Sequence, residues 1–190
     1  MEPKKLLDIL AVCEKLKCAE RHCWTSSGKQ ESVADHSWRL AVMAYFLKAD
    51  FPELDMDKVI QMCLLHDLGE AFTGDIPAFV KTEDNRTWEN RLLREWTGTF
   101  PEPYLQEVNG LLDEMEKRET PEAKLYKALD RLEALIAHNE ADIASWLPLE
   151  YDLQYTYGKD DMRFSPVLMK LREEVDRVTT EKIRDAKHGV

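Results

Sequence analysis

Long apolar runs are missing from this 190-residue chain. Without a stretch of about 18 apolar residues, no transmembrane helix is expected. Glycine and proline are scarce, at 7 and 8 residues, which leaves little material for the many tight turns of an all-β fold. Cysteine is sparse as well. Cys13, Cys18, Cys23 and Cys63 contain no CxxC pair, the spacing of common structural zinc sites. A zinc cluster of the first three with His22 is the lesser alternative to ordinary small apolar side chains. The start, Met1-Glu2-Pro3-Lys4-Lys5, does not read as a signal peptide, so a reducing, cytoplasmic setting without disulfides is expected. An excess of positive charge is lacking too: 26 Lys+Arg face 37 Asp+Glu, a net charge of −11. This argues against a nucleic-acid polymer or an anionic membrane as partner. It leaves room for a phosphorylated small molecule, because a few cations or a metal invert the field locally. Neither a glycine-rich phosphate loop nor a Ser-His-Asp arrangement presents itself.

What the chain has in quantity is helical periodicity. Leu6, Leu10, Cys13 and Leu16 predict a first amphipathic helix, and Cys18 to Gln30 then reads as loop. Val33, Leu40, Met43, Ala44 and Leu47 mark a second helix with Ser32 as N-cap. Asp55 or Asp57 caps a third, carrying Val59, Ile60, Cys63 and Leu64. Trp88, Leu92 and Trp96 give a short helix ending near Gly98, and their stripe reads as core or interface. Leu105, Val108, Leu112 and Met115 give another helix. Thr120-Pro121-Glu122 is a strong start for a helix with Leu125, Leu129, Leu132 and Ile136 on its face. Residues 145–165 read as irregular, before a last helix with Leu168, Leu171, Val175 and Val178. The expectation is one compact all-α domain, 1–190, of about six or seven helices.

Polar residues interrupt the apolar faces in three places. His66-Asp67 ends an apolar helix, where a buried unpaired carboxylate is costly and calls for a partner. Imidazole and carboxylate together suit a divalent transition metal, although a hydrogen-bonded His-Asp cap explains the pair equally well. Glu70, four residues after His66 and three after Asp67, shares their face. His36 lies in the first turns of the second helix, and Asp130 lies mid-helix beside the apolar stripe. Each has a plainer reading, His36 as a core or capping histidine and Asp130 as a partner of Lys127 or Arg131.

The order His36, His66-Asp67, Asp130 resembles the HD-domain metal-dependent phosphohydrolases. Glu31-Ser32-Val33-Ala34-Asp35-His36-Ser37 is similar to the first-histidine motif of their 5′-deoxynucleotidase branch. His66-Asp67-Leu68-Gly69-Glu70-Ala71-Phe72-Thr73-Gly74-Asp75-Ile76-Pro77 is similar to its signature, and the resemblance extends over roughly residues 5–180. It implies an all-α HD fold with metal ligands His36, His66, Asp67 and Asp130 around one divalent ion: Mn, Co, Fe, Ni, Zn or Mg. It implies catalytic carboxylates Glu70 and Asp75, and a phosphate contact from Arg21. Trp24 corresponds loosely to a sugar-lining aromatic, since His22 and Cys23 separate it from Arg21; Lys81 is a second candidate cation for phosphate. The implied activity is hydrolysis of deoxynucleoside 5′-monophosphates to deoxynucleoside and phosphate. A phosphohydrolase for another phosphorylated metabolite, or a non-catalytic metal-stabilised binding module, is the alternative. Members of the branch tend to be dimers, so a homodimer is implied.

Overall fold

The computed structural model describes residues 1–188. Among them are nine α-helices: α1 (Pro3–Glu14), α2 (Val33–Phe46), α3 (Met56–Leu65), α4 (Glu70–Thr73), α5 (Glu83–Thr97), α6 (Tyr104–Lys117), α7 (Pro121–Glu140), α8 (Glu150–Thr156) and α9 (Pro166–His188). Only α4 and α8 are shorter than ten residues, so the seven substantial helices match the periodicity. None is long and apolar enough to cross a membrane.

The helix starts form where the side chains provide them. Ser32 accepts from the Asp35 backbone N–H while the Asp35 side chain accepts from the Ser32 N–H, a reciprocal cap that fixes the entry to α2. Asp55 accepts from the Lys58 N–H at α3, and Thr120 from the Ala123 N–H at α7, where Pro121 pre-sets the first turn. Two stretches differ from expectation. Residues 18–30 hold a strand, β1 (Glu20–Trp24), paired antiparallel with β2 (Gln30–Ser32) around the Thr25–Gly28 turn. Its polar sequence lacks clean alternation because a register shift between Glu20 and Trp24 breaks the period of two. Residues 145–165 hold α8, too short to show a helical period.

The core lies between α2, α3 and α7, with α9 and α6 packed on α7 and α5 packed on α4 and α6. α7 is buried around most of its girth, through Leu125, Tyr126, Ala128, Leu129, Leu132, Leu135 and Ala137. A helix so enclosed can carry polar groups only where something pairs them. That condition applies to Asp130 and Glu133. α1 forms as expected but stays peripheral: Leu6 and Leu10 are half exposed, and only Leu16, beyond its end, is buried. The tryptophan stripe splits, with Trp96 packed on Phe72 and Phe100 and Trp88 half exposed beneath the Arg91 guanidinium.

Leu40 is fully buried on α2, one turn beyond His36. Leu40→Ala is expected to cost about 2–5 kcal/mol in urea unfolding. A loss under 1 kcal/mol would contradict the placement of the core.

Candidate metal centre

Three helices of the core deliver four donors to one place. His36 projects from the first turn of α2 and is fully buried. His66 is the C-cap of α3, still helical in φ and ψ with its N–H bonded to the Met62 carbonyl, and Asp67 follows in the turn before α4. Asp130 comes from the middle of α7. His36 Nε2 stands 3.3 Å from His66 Nε2, 3.1 Å from Asp130 Oδ1 and 3.9 Å from Asp67 Oδ2. His66 Nε2 stands 2.9 Å from Asp67 Oδ2 and 3.6 Å from Asp130 Oδ1. Donors sharing an ion at about 2.1 Å are separated by roughly 3–4 Å, so His36, His66 and Asp67 fit one divalent transition ion, with Asp130 beside both histidines.

The outer contacts orient these donors. His66 Nδ1 faces the Cys63 carbonyl at 2.9 Å, and the proton it donates there leaves Nε2 free for a metal. His36 Nδ1 contacts Glu133 Oε2, and Arg39 Nε donates to Glu133 Oε1 at 2.6 Å. Asp130 divides its oxygens, with Oδ1 toward the histidines and Oδ2 accepting from Lys127 Nζ at 2.6 Å. The ion pair with Lys127 thus leaves Oδ1 turned to the histidines.

The electrostatics prepare a cation site. Burial alone would raise Asp67, but the His66 charge and hydrogen bond outweigh it and hold the carboxyl below its usual range. For Asp130 burial is again opposed, chiefly by Lys127 and then by the two histidines, and its carboxyl lies well below the ordinary value. Both ligands are thus ionised. Glu70 is the opposite case. Burial, reinforced by the charges of Asp67 and Asp75, pushes it up to about 9. Asp75 is raised too, by burial foremost. It follows Gly74, whose φ of +71° closes α4 in a conformation that suits glycine and turns Asp75 toward the ligands. Arg21 joins the centre from β1, with Nε 3.2 Å from Glu31 and Nη1 3.7 Å from Asp67 Oδ2.

Arg21, His66, Asp67, Glu70, Asp75 and Asp130 line one cavity of about 1140 Å³, while His36, Arg39, Glu31 and Glu133 stand behind its wall. Lys81 also lines it, but its Nζ lies 2.6 Å from Glu89 and 3.4 Å from Glu70, so it is placed first as the partner of Glu89 and second as that of Glu70. Trp24 is not in the lining; its ring packs edge-on against His22, which is. The four cysteines are free, and burial pushes the Cys23 thiol up to about 12, a poor state for a metal ligand. Glu133 and Arg39 were not singled out from the sequence. The signal was present in Asp130-Arg131-Leu132-Glu133, a second acid three residues on, on the face of an otherwise apolar helix.

The model of the HD domain matches residues 13–172. The chain belongs to the HD domain family. The human 5′-deoxynucleotidase HDDC2 is 32% identical over 178 residues, covering 91% of this chain and 85% of that protein. Among solved structures, a predicted metal-dependent phosphohydrolase from Magnetospirillum magnetotacticum shares the fold, with a TM-score of 0.75 at 24% identity over 95% of each chain. A cyanophage S-2L HD phosphohydrolase, solved with dA and one catalytic Zn²⁺, aligns with a TM-score of 0.58 at 22% identity, covering 89% of this chain and 96% of its own. HD phosphohydrolases use divalent metal, and the donor set here suits one.

Glu133→Gln is expected to weaken metal affinity about 10- to 100-fold in a chelator competition, because His36 loses the carboxylate that orients it. Unchanged affinity would contradict that role. Glu70, with a folded pKa raised above its unfolded value, is favoured in the protonated form, so its contribution to stability falls as pH rises from about 4.5 to about 9. Metal-free Glu70→Gln is therefore expected to gain in Tm over the parent across that window, with the gain levelling off above it. A pH-independent difference would contradict the burial of this carboxyl.

Proposed function

We propose that this chain is a metal-dependent phosphomonoesterase that hydrolyses deoxynucleoside 5′-monophosphates. The observation that carries the reading is the convergence of His36, His66, Asp67 and Asp130 beside two raised carboxyls, Glu70 and Asp75, in a cavity with room for a nucleotide. A purely structural metal would need neither carboxyl. The 5′-deoxynucleotidase relatives, matched over most of their length, support the substrate class.

A divalent ion held by the four donors supplies Lewis acidity toward a phosphoryl oxygen and a water. The protein does the remaining work. Arg21, buried and fixed between Glu31 and Asp67, offers its guanidinium to the phosphate oxygens. It also explains how a net-acidic protein holds an anion. With a divalent ion bound beside it, whose charge favours the ionised form, Glu70, paired with Lys81, would take the proton of the attacking water as the new P–O bond forms. Asp75, raised by burial, delivers a proton to the 5′-oxygen as the bond from phosphorus to that oxygen breaks. The nucleoside leaves neutral and the phosphate stays on the Arg21 side.

The test is phosphate release from a panel of deoxy- and ribonucleoside monophosphates with Mn or Co added. Turnover of the deoxynucleotides is expected, abolished in Asp67→Ala and lowered about 10²- to 10⁴-fold in kcat in Asp75→Asn. Absence of phosphate release with either metal, or full activity in Asp67→Ala, would overturn the proposal.

A further inference from the structure

We propose that His22, Glu150 and His138 form a base-recognising pole of the cavity, suited to the amino-bearing bases adenine and cytosine. This rests on the deoxynucleotidase reading above. Asp75 marks the leaving-group end, and His22 lines the same cavity. A nucleoside leaving Asp75 therefore runs along His22. His138 lies eight residues beyond Asp130 on α7, an axial rise of about 12 Å. That is the reach of an extended nucleotide from phosphate to base edge, and more than the sugar alone needs. His22, Glu150 and His138 line the same cavity, with Phe79 edge-on to His22 at 5.9 Å.

The cluster has a defined polarity. Glu150 Oε1 lies 2.9 Å from His138 Nε2 and 3.3 Å from His22 Nε2, while Oε2 accepts from the Leu147 N–H at 2.6 Å. Burial would raise this carboxyl, but the His138 and Leu147 hydrogen bonds hold it below its usual range. An ionised carboxylate only accepts, so His138 turns its Nε2 proton to Glu150, and the remaining lone pairs of Glu150 are the acceptors of the pole. His22 Nε2 is buried beside the same oxygen without a hydrogen bond of its own, an unmet polar atom at the edge of the pole. Acceptors at the pole favour the N6 amino group of adenine or the N4 amino group of cytosine. Thymine and guanine would set O4 or O6 against them.

The experiment measures binding of deoxyadenosine, deoxycytidine, thymidine and deoxyguanosine to the full chain. In parallel it measures kcat/KM for the four monophosphates and for 2-deoxyribose 5-phosphate, which has no base. Parent, His138→Phe and Glu150→Gln proteins are compared; the phenyl ring keeps the packing on Trp146, and the amide keeps the carboxyl shape. A preference for adenine and cytosine of roughly three- to tenfold is expected in the parent, the worth of one neutral hydrogen bond. It should shrink to about one in both variants, with a matching fall in the ratio of dAMP to 2-deoxyribose 5-phosphate. No such preference in the parent, or one that survives both substitutions, would overturn the pole. Base-ordered nucleoside binding without phosphate release from any nucleotide would leave the pole standing and refute the phosphatase reading instead.

Discussion

Two carboxylates and two imidazoles are crowded at the junction of α2, α3 and α7, each imidazole Nε2 2.9–3.9 Å from its carboxylate neighbours and largely out of water. Desolvation works against the charged forms, and the two carboxylates repel one another. The arrangement holds because cations surround it: Lys127 on Asp130, Arg21 near Asp67, and Arg39 behind Glu133. Much of the rest of the structure serves this junction. The Ser32–Asp35 cap sets the entry to α2 and so the position of His36. The end of α3 at Leu65 places His66 at its C-cap and Asp67 in the turn that follows. The enclosed girth of α7 fixes Asp130 in depth.

The carboxyls divide into two kinds by their surroundings. Asp67, Asp130 and Glu133 sit against positive partners and stay ionised, a state that suits the proposed ligands and the group behind His36. Glu70 and Asp75 sit where burial and neighbouring acids dominate, and they hold protons more tightly. Titratable groups pushed apart in this way are the physical basis of separate ligand and acid–base roles in one site. The net charge of −11 therefore misrepresents the local field: the acids at the centre are matched by buried cations, and the cavity can take an anion.

The helices were legible wherever a cap coincided with a period of 3.6, as at Ser32, Asp55 and Thr120. The β1–β2 hairpin was not, because its register shift removes alternation and its residues serve the site: Arg21 and His22 line the cavity while Cys23 is buried. His36, His66, Asp67 and Asp130 could be named together through the resemblance to the HD phosphohydrolases, since each alone has a plainer reading. Their convergence could not, since it depends on how α2, α3 and α7 pack. Glu133 was missed for a related reason. An acid on a helix face reads as solvated until the helix is known to be buried. Lys81 illustrates the reverse, since a lone lysine gives no sign that Glu70 and Glu89 hold it.

The central claim is that one divalent ion sits among four donors. Its most direct test is an anomalous difference map from crystals grown with Mn²⁺. The account predicts a single strong peak about 2.0–2.3 Å from His36 Nε2, His66 Nε2, Asp67 Oδ2 and Asp130 Oδ1. A peak between Glu31 and Glu133 on the far side of His36, where the donor geometry also permits an ion, would contradict it, as would no peak at saturating metal.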